Sequence, residues 1–135
     1  MKEVELKYKY VIKAKKRPSV NFSTRSIRNP SADDEAMISH DTKLQLTRAQ
    51  IKEIFDSKYV SFEVINYYKT PRKKLHGTPK TTKPDCDNYT KLWSDAVNGI
   101  LWDDDGKVYK MTGTKYWADK PYSVVKVKYG GSENE

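Results

Sequence analysis

Five aspartates bracket one predicted helix: Asp85 and Asp87 in Lys83-Pro84-Asp85-Cys86-Asp87-Asn88 before it, and Asp103, Asp104 and Asp105 ahead of Gly106 after it. Carboxylate oxygens are the donors that a hard divalent cation prefers. They stand in a chain of formal net charge +8 and pI near 9.4, a balance that suits a polyanionic partner. Together the two features point to metal-assisted cleavage of a phosphodiester in nucleic acid.

For such chemistry the acids must converge. A helix from Asp87 to about Asn98 is roughly 18 Å long at ~1.5 Å per residue, which starts Asp85 and Asp103 far apart. If the chain reverses at Gly99 and returns extended, the segment from Ile100 to Asp105 covers about 20 Å at ~3.3 Å per residue, and Asp104 or Asp105 reaches the helix N-terminus. Asp85 and Asp87, two apart in extended chain, point to the same side and can share a cation. Lys91 lies one helical turn after Asp87, and helical side chains lean toward the N-terminus, so its ammonium is expected near the carboxylates. Asp95, a further turn on, can pair with Lys91 in its place.

Between Glu63 and Asp85 there is no acidic residue, while Lys69, Arg72, Lys73, Lys74, Lys80 and Lys83 are all cationic. This basic loop leads directly into the acid pair and is the expected nucleic-acid contact. Plainer roles compete. Asp87 is a good helix N-cap, Asp-Asp-Asp-Gly is good turn chemistry, and surface lysines often only solubilise. A calcium loop of the EF-hand kind fails, because Gly106 at the sixth position would put Leu101 first and Thr112 twelfth. Cys86 lacks a neighbouring base and reads as a small packed side chain, Trp93 reads as core, and Tyr67 and Tyr68 are candidates for stacking on bases.

The elements that must position these residues fit an α+β fold, with a mixed sheet packed against two main helices. At 135 residues the chain suits one domain, over 1–129, with 130–135 as a disordered tail. Hydrophobic residues are only 36% of it, a thin core of the kind that grows by dimerisation. A lone cysteine excludes an intrachain disulfide. The N-terminus alternates charge with apolar residues instead of carrying an apolar signal core, and no run is long enough for a membrane span. A soluble, cytoplasmic protein is therefore expected.

Val4, Leu6, Tyr8, Tyr10 and Ile12 alternate as one strand. From Lys15 to about Lys43 periodicity is lost and a long loop is expected. Thr47 with Gln50 makes a capping box for a short helix ending near Ser57, and Tyr59 to Tyr68 reads as a strand. Tyr89, Leu92, Trp93, Ala96, Val97 and Ile100 form the apolar stripe of the central helix, with Asp87 as its N-cap and Asn98-Gly99 at its end. Lys107–Trp117 and Tyr122–Tyr129 look like strands joined through Ala118-Asp119-Lys120-Pro121, with Gly113 at a bulge.

Lys83-Pro84-Asp85-Cys86-Asp87-Asn88-Tyr89-Thr90-Lys91, then Asp95-Ala96-Val97-Asn98-Gly99-Ile100 and Trp102-Asp103-Asp104-Asp105-Gly106-Lys107-Val108, resembles the RusA-type Holliday junction resolvases of bacteria and phages. Pro18-Ser19-Val20-Asn21 is similar to that family's weaker segment after the first strand, whereas 22–43 has no counterpart. The resemblance implies metal ligation by Asp85, Asp87 and Asp105, with Asp104 as the alternative and Asp103 one register away, and Lys91 as the catalytic cation. It implies a homodimer, with one site per subunit, that uses Mg2+, or Mn2+ in its place, and no organic cofactor. Its expected substrate is a four-way DNA junction, cut by paired symmetric nicks in recombination and repair within a bacterial or phage-infected cell. A non-catalytic basic nucleic-acid-binding protein, or a metal nuclease for other branched DNA, is the alternative.

Overall fold

Alternating apolar and polar residues build the sheet on which the candidate site rests. The computed structural model describes residues 1–12, 19–21, 26–28 and 32–131, with side chains for 1–12 and 32–131. Its elements in chain order are β1 (Lys2–Tyr8), β2 (Ser19–Asn21), β3 (Ser26–Arg28), α1 (Ala32–Gln45), α2 (Arg48–Phe55), β4 (Tyr59–Lys69), α3 (Cys86–Val97), β5 (Val108–Ala118) and β6 (Tyr122–Gly130). Four strands form one mixed sheet in the order β1-β6-β4-β5, while β2 and β3 pair only with each other. The architecture is α+β, as expected.

On β4, Val60, Phe62 and Val64 are buried, and across the ladder they meet Tyr129, Val127 and Val125 of β6, also buried. Period-two patterning thus turns one face of the sheet into core. Tyr89, Leu92, Trp93 and Val97 of α3 fill the other side of that core, all fully or almost fully buried. Trp93 packs edge-on to Tyr8 with centroids 4.7 Å apart, and Trp102 edge-on to Phe62 at 5.4 Å. Such aromatic pairs supply apolar area that the low aliphatic content does not.

Three points change or add to these expectations. The second half of the expected 15–43 loop is α1, a third helix. Asp33, Asp34 and Glu35 sit in its first turn and Lys43 in its last, matching the helix dipole. Its apolar stripe is nearly absent, since only Ile38 and Thr42 are buried, so periodicity could not reveal it. Polar tertiary bonds hold it instead: Tyr8 Oη shares a hydrogen bond with Thr42 Oγ1 at 2.7 Å, and Tyr10 Oη donates to Asp41 at 2.7 Å. The part of that expected loop at 15–18, 22–25 and 29–31 lies outside the described residues, as does 132–135 of the expected tail, whereas Gly130 belongs to β6.

The second point concerns β5 and β6, which follow one another as expected but do not pair with each other. β4 lies between them, parallel to β5 and antiparallel to β6. A parallel pair needs a crossover, and the crossover from β4 to β5 is the basic loop plus α3.

Third, Gly113 is not at a bulge. The irregularity in that ladder falls at Val60/Ser61, and Gly113 is instead where α3 presses on the sheet. A Cβ there would overlap Thr90 Oγ1 and come 3.0 Å from Tyr89 Oη. Gly113→Ala is therefore expected to destabilise by about 1–3 kcal/mol through overpacking, read as a lower thermal unfolding midpoint. An unchanged midpoint would mean that α3 backs away from β5 without strain.

Candidate functional site

The crossover decides where the acids stand. Because β4 and β5 run the same way and α3 returns between them, the first turns of α3 lie over the middle of β5, at Met111 and Gly113. Asp85 is the residue preceding α3, in extended conformation, and makes no side-chain cap bond; Asp87 lies in the first turn. The expected cap at Asp87 is thus displaced by two residues. Asp87 Oδ1 accepts from the Asn88 amide at 2.9 Å, and Asp85 pairs with Lys83 at 3.3 Å. Both carboxylates are exposed, at a helix end whose dipole favours negative charge.

The other three acids occupy the opposite pole. Residues 98–107 do not return extended but fold into tight turns, with Gly99 at φ 89° and its amide bonded to the Trp102 carbonyl at 2.8 Å. Asp105 Oδ1 accepts from Asn98 Nδ2 at 3.1 Å and from Trp102 Nε1 at 3.0 Å, pinning the end of α3 to the buried Trp102. Asp104 Oδ1 accepts from the Gly106 amide at 2.9 Å. Asp103 pairs with Lys107 at 2.9 Å, and that bond holds its carboxyl below the usual range. The expected convergence of Asp104 or Asp105 on the α3 N-terminus does not occur within one chain. Among the described residues no group of three or more His, Cys, Asp and Glu stands close enough to hold a metal.

The extended return is β5 itself, and it delivers different residues. Gly113 lies under Thr90, Tyr89 Oη donates to the Thr114 carbonyl at 2.6 Å, and Lys115 reaches the segment just before Asp85. Burial, and then the bond to Cys86, push the Tyr89 hydroxyl upward. An open cavity of 310 Å³ lies here, lined by Cys86, Asp87, Thr90, Lys91, Met111 and Gly113. Cys86 is exposed, not packed as expected. Lys91 is also exposed and pairs with Asp95 at 3.2 Å, the alternative that its spacing allowed. Met111, Gly113 and Lys115 were invisible as site residues in sequence, because only strand pairing brings them to α3.

The basic loop runs along the outer edge of β5. Gly77 N donates to the Trp117 carbonyl at 2.8 Å, Trp117 N to the Thr78 carbonyl at 2.9 Å and Lys80 N to the Lys115 carbonyl at 2.9 Å. Lys69, Arg72, Lys73, Lys74 and Lys83 are exposed, and of these Lys83 pairs with Asp85. Lys80 is the exception among the expected DNA contacts. It is 9% exposed, its ammonium lies 4.7 Å from the Trp117 ring centroid and 5.2 Å from that of Tyr68, and it donates to Thr82 Oγ1 at 2.5 Å and to the Lys83 carbonyl. Burial, and then the charge of Lys115, lower its pKa. The Lys80 ammonium is thus turned into its own loop, where it ties Thr82 and Lys83 to the rings of Tyr68 and Trp117. Tyr68 is likewise buried, donating to the Ile12 carbonyl at 3.0 Å, while Tyr67 stacks between Tyr116 and Tyr122.

No helix among the described residues is long and apolar enough to cross a membrane. The model of the family described as Endodeoxyribonuclease RusA matches residues 8–128. A relative from Bacillus subtilis (strain 168), "Uncharacterized protein YqaN", is 38% identical over 48 residues, a match that spans 36% of this chain and 34% of that protein's length.

Proposed function

Because the chain belongs to the RusA endodeoxyribonuclease family, we propose that it is a divalent-metal-dependent endonuclease that cuts four-way DNA junctions by paired nicks during recombination and repair. The observation that carries this is the exposed pair Asp85 and Asp87 at the head of α3, preceded in the chain by five exposed cations, Lys69, Arg72, Lys73, Lys74 and Lys83, the last of them paired with Asp85. Magnesium commonly takes one or two carboxylates and completes its shell with water and substrate phosphate, so this donor set fits Mg2+, and Mn2+ in its place. When bound, such an ion activates water and steadies the charge that develops on the phosphoryl oxygens. Asp85 and Asp87 hold it, the loop cations draw the DNA backbone in, and Lys91 supplies positive charge on the adjoining turn.

A second copy gives Asp105 its place. β5 is an edge strand, and its first half exposes Tyr109 and Met111, at 58% and 43%. Antiparallel pairing of two such edges about a two-fold axis near Met111 brings the start of one β5 to the middle of the other. Asp105 of one subunit then approaches Asp85 and Asp87 of its partner. A two-fold dimer also offers two symmetric sites to the two equivalent strands of a junction, in a bacterial or phage-infected cytoplasm.

The deciding experiment is a synthetic four-way junction with and without Mg2+. Symmetric nicks that require the metal support the proposal. Metal-independent binding with no cutting favours a non-catalytic binder, and preferential cutting of flaps favours a nuclease for other branched DNA. Neutralising Lys73 and Lys74 together is expected to weaken junction binding and to lower the slope of log affinity against log salt by about 2, since each neutralised phosphate adds ~0.9 to that slope. A slope equal to the wild-type one would remove these lysines from the interface.

A further inference from the structure

The carboxylate of Asp85 is useful only if the chain ahead of α3 is held still, and the helix holds Asp85 only by its carbonyl, which accepts from the amides of Asn88 at 3.1 Å and Tyr89 at 3.4 Å. Asp85 makes no cap bond, and its ion pair with Lys83 is exposed, a kind of interaction worth little. Thr82, Lys83 and Pro84 belong to no helix or strand. Their polar groups are instead met by two ammonium groups. Lys115 Nζ, from β5, donates to the Thr82 carbonyl at 2.6 Å and to the Pro84 carbonyl at 2.6 Å. Lys80 Nζ, buried against Tyr68 and Trp117, donates to Thr82 Oγ1 and to the Lys83 carbonyl. All three carbonyls leading into Asp85 are thus bound by lysine.

We propose that Lys115 and Lys80 form a two-lysine clamp that positions the Asp85–Asp87 segment for metal capture, with Lys115 the positioning residue that ties it to the sheet. Three features support a role beyond loop packing. Both lysines point at consecutive carbonyls of the one segment that carries the proposed ligands. Lys115 is anchored on a strand paired along its length with β4, so the clamp transmits the sheet's register to Asp85. Two like charges share this small region, an arrangement that opposes folding unless nearby carboxylates and carbonyls offset it. Supporting groups of this kind orient ligands, and their loss typically weakens metal binding about 10–100-fold.

The inference rests on the metal-dependent reading above, and the test separates the two. Mn2+ uptake by the full-length protein without DNA is measured from the resonance signal of the free ion, for wild type, Lys115→Met, Lys115→Arg and Lys80→Met. The remote core variant Val127→Ala, buried in β6, serves as a stability control. Lys115→Met is expected to weaken Mn2+ binding by at least about tenfold and to speed amide exchange at 85–88. Lys115→Arg recovers part of the affinity, and Val127→Ala lowers the unfolding midpoint with affinity unchanged. If Lys115→Met does not fold, Lys80→Met carries the same expectation. Wild-type uptake left intact by both lysine variants overturns the clamp alone, as does an equal loss in Val127→Ala. Wild-type protein that takes up no Mn2+ overturns the metal reading, and the clamp with it.

Discussion

Asp87→Asn is expected to bind a four-way junction at least as tightly as the wild type and to cut it about a thousandfold more slowly, a loss of ~4 kcal/mol of transition-state stabilisation. The two effects separate because of where Asp87 stands. Its carboxylate is exposed in the first turn of α3 and its oxygen accepts only from the neighbouring Asn88 amide, a bond that an amide oxygen can keep. Folding is therefore preserved, and removing a negative charge does not repel the backbone of DNA. Asp85→Asn behaves in the same way, since the exposed pair with Lys83 contributes at most about 1 kcal/mol. Single-turnover cutting in Mg2+ and gel-shift affinity in chelator make the measurement. Wild-type cutting rates in both variants would eliminate the acid pair as the metal site.

Mixing two inactive proteins should restore activity. If the site combines Asp85 and Asp87 of one subunit with Asp105 of its partner, a dimer of one Asp87→Asn chain and one Asp105→Asn chain keeps one complete site and loses the other. Such mixed dimers are expected to nick one strand of a junction, while each parent alone is reduced about a thousandfold, the scale of removing one group that stabilises transition-state charge. If all acids acted within one chain, every site in the mixture would carry a lesion and nothing would be restored. Asp105→Asn suits the test because Asp105 Oδ1 accepts from Asn98 and Trp102 and the amide oxygen can still accept both. Asp105→Ala does not, because it strips an anchor from the end of α3. Mixtures that remain inactive after subunit exchange has been demonstrated would refute the shared site.

The clearest parts of the sequence were those in which local chemistry and burial coincide. The capping box at Thr47 and Gln50 is present with both of its bonds, at 3.1 and 2.9 Å. The stripe from Tyr89 to Val97 is the buried face of α3, and Val60, Phe62 and Val64 line the core face of β4. α1 escaped notice because polar bonds from Tyr8 and Tyr10 hold it, and such bonds leave no period. The charge of Lys80 is visible in sequence, whereas the rings of Tyr68 and Trp117 that cover it come from two different strands.

Local sequence was enough to reveal the residue types of the proposed site, the helix headed by Asp85 and Asp87, the basic loop before it and the resemblance to one family. Each of these depends on neighbours within a few residues. Which groups meet was settled only by the folded chain. β4 lies between β5 and β6 and runs parallel to β5, so α3 is part of a crossover that sets its first turns over the middle of β5 while Asp105 stays at the other end of α3. That geometry separates Asp105 from the acid pair and brings Lys115 in its stead. Strand order is set by the burial of whole faces across long sequence separations, which no local spacing of charges can encode.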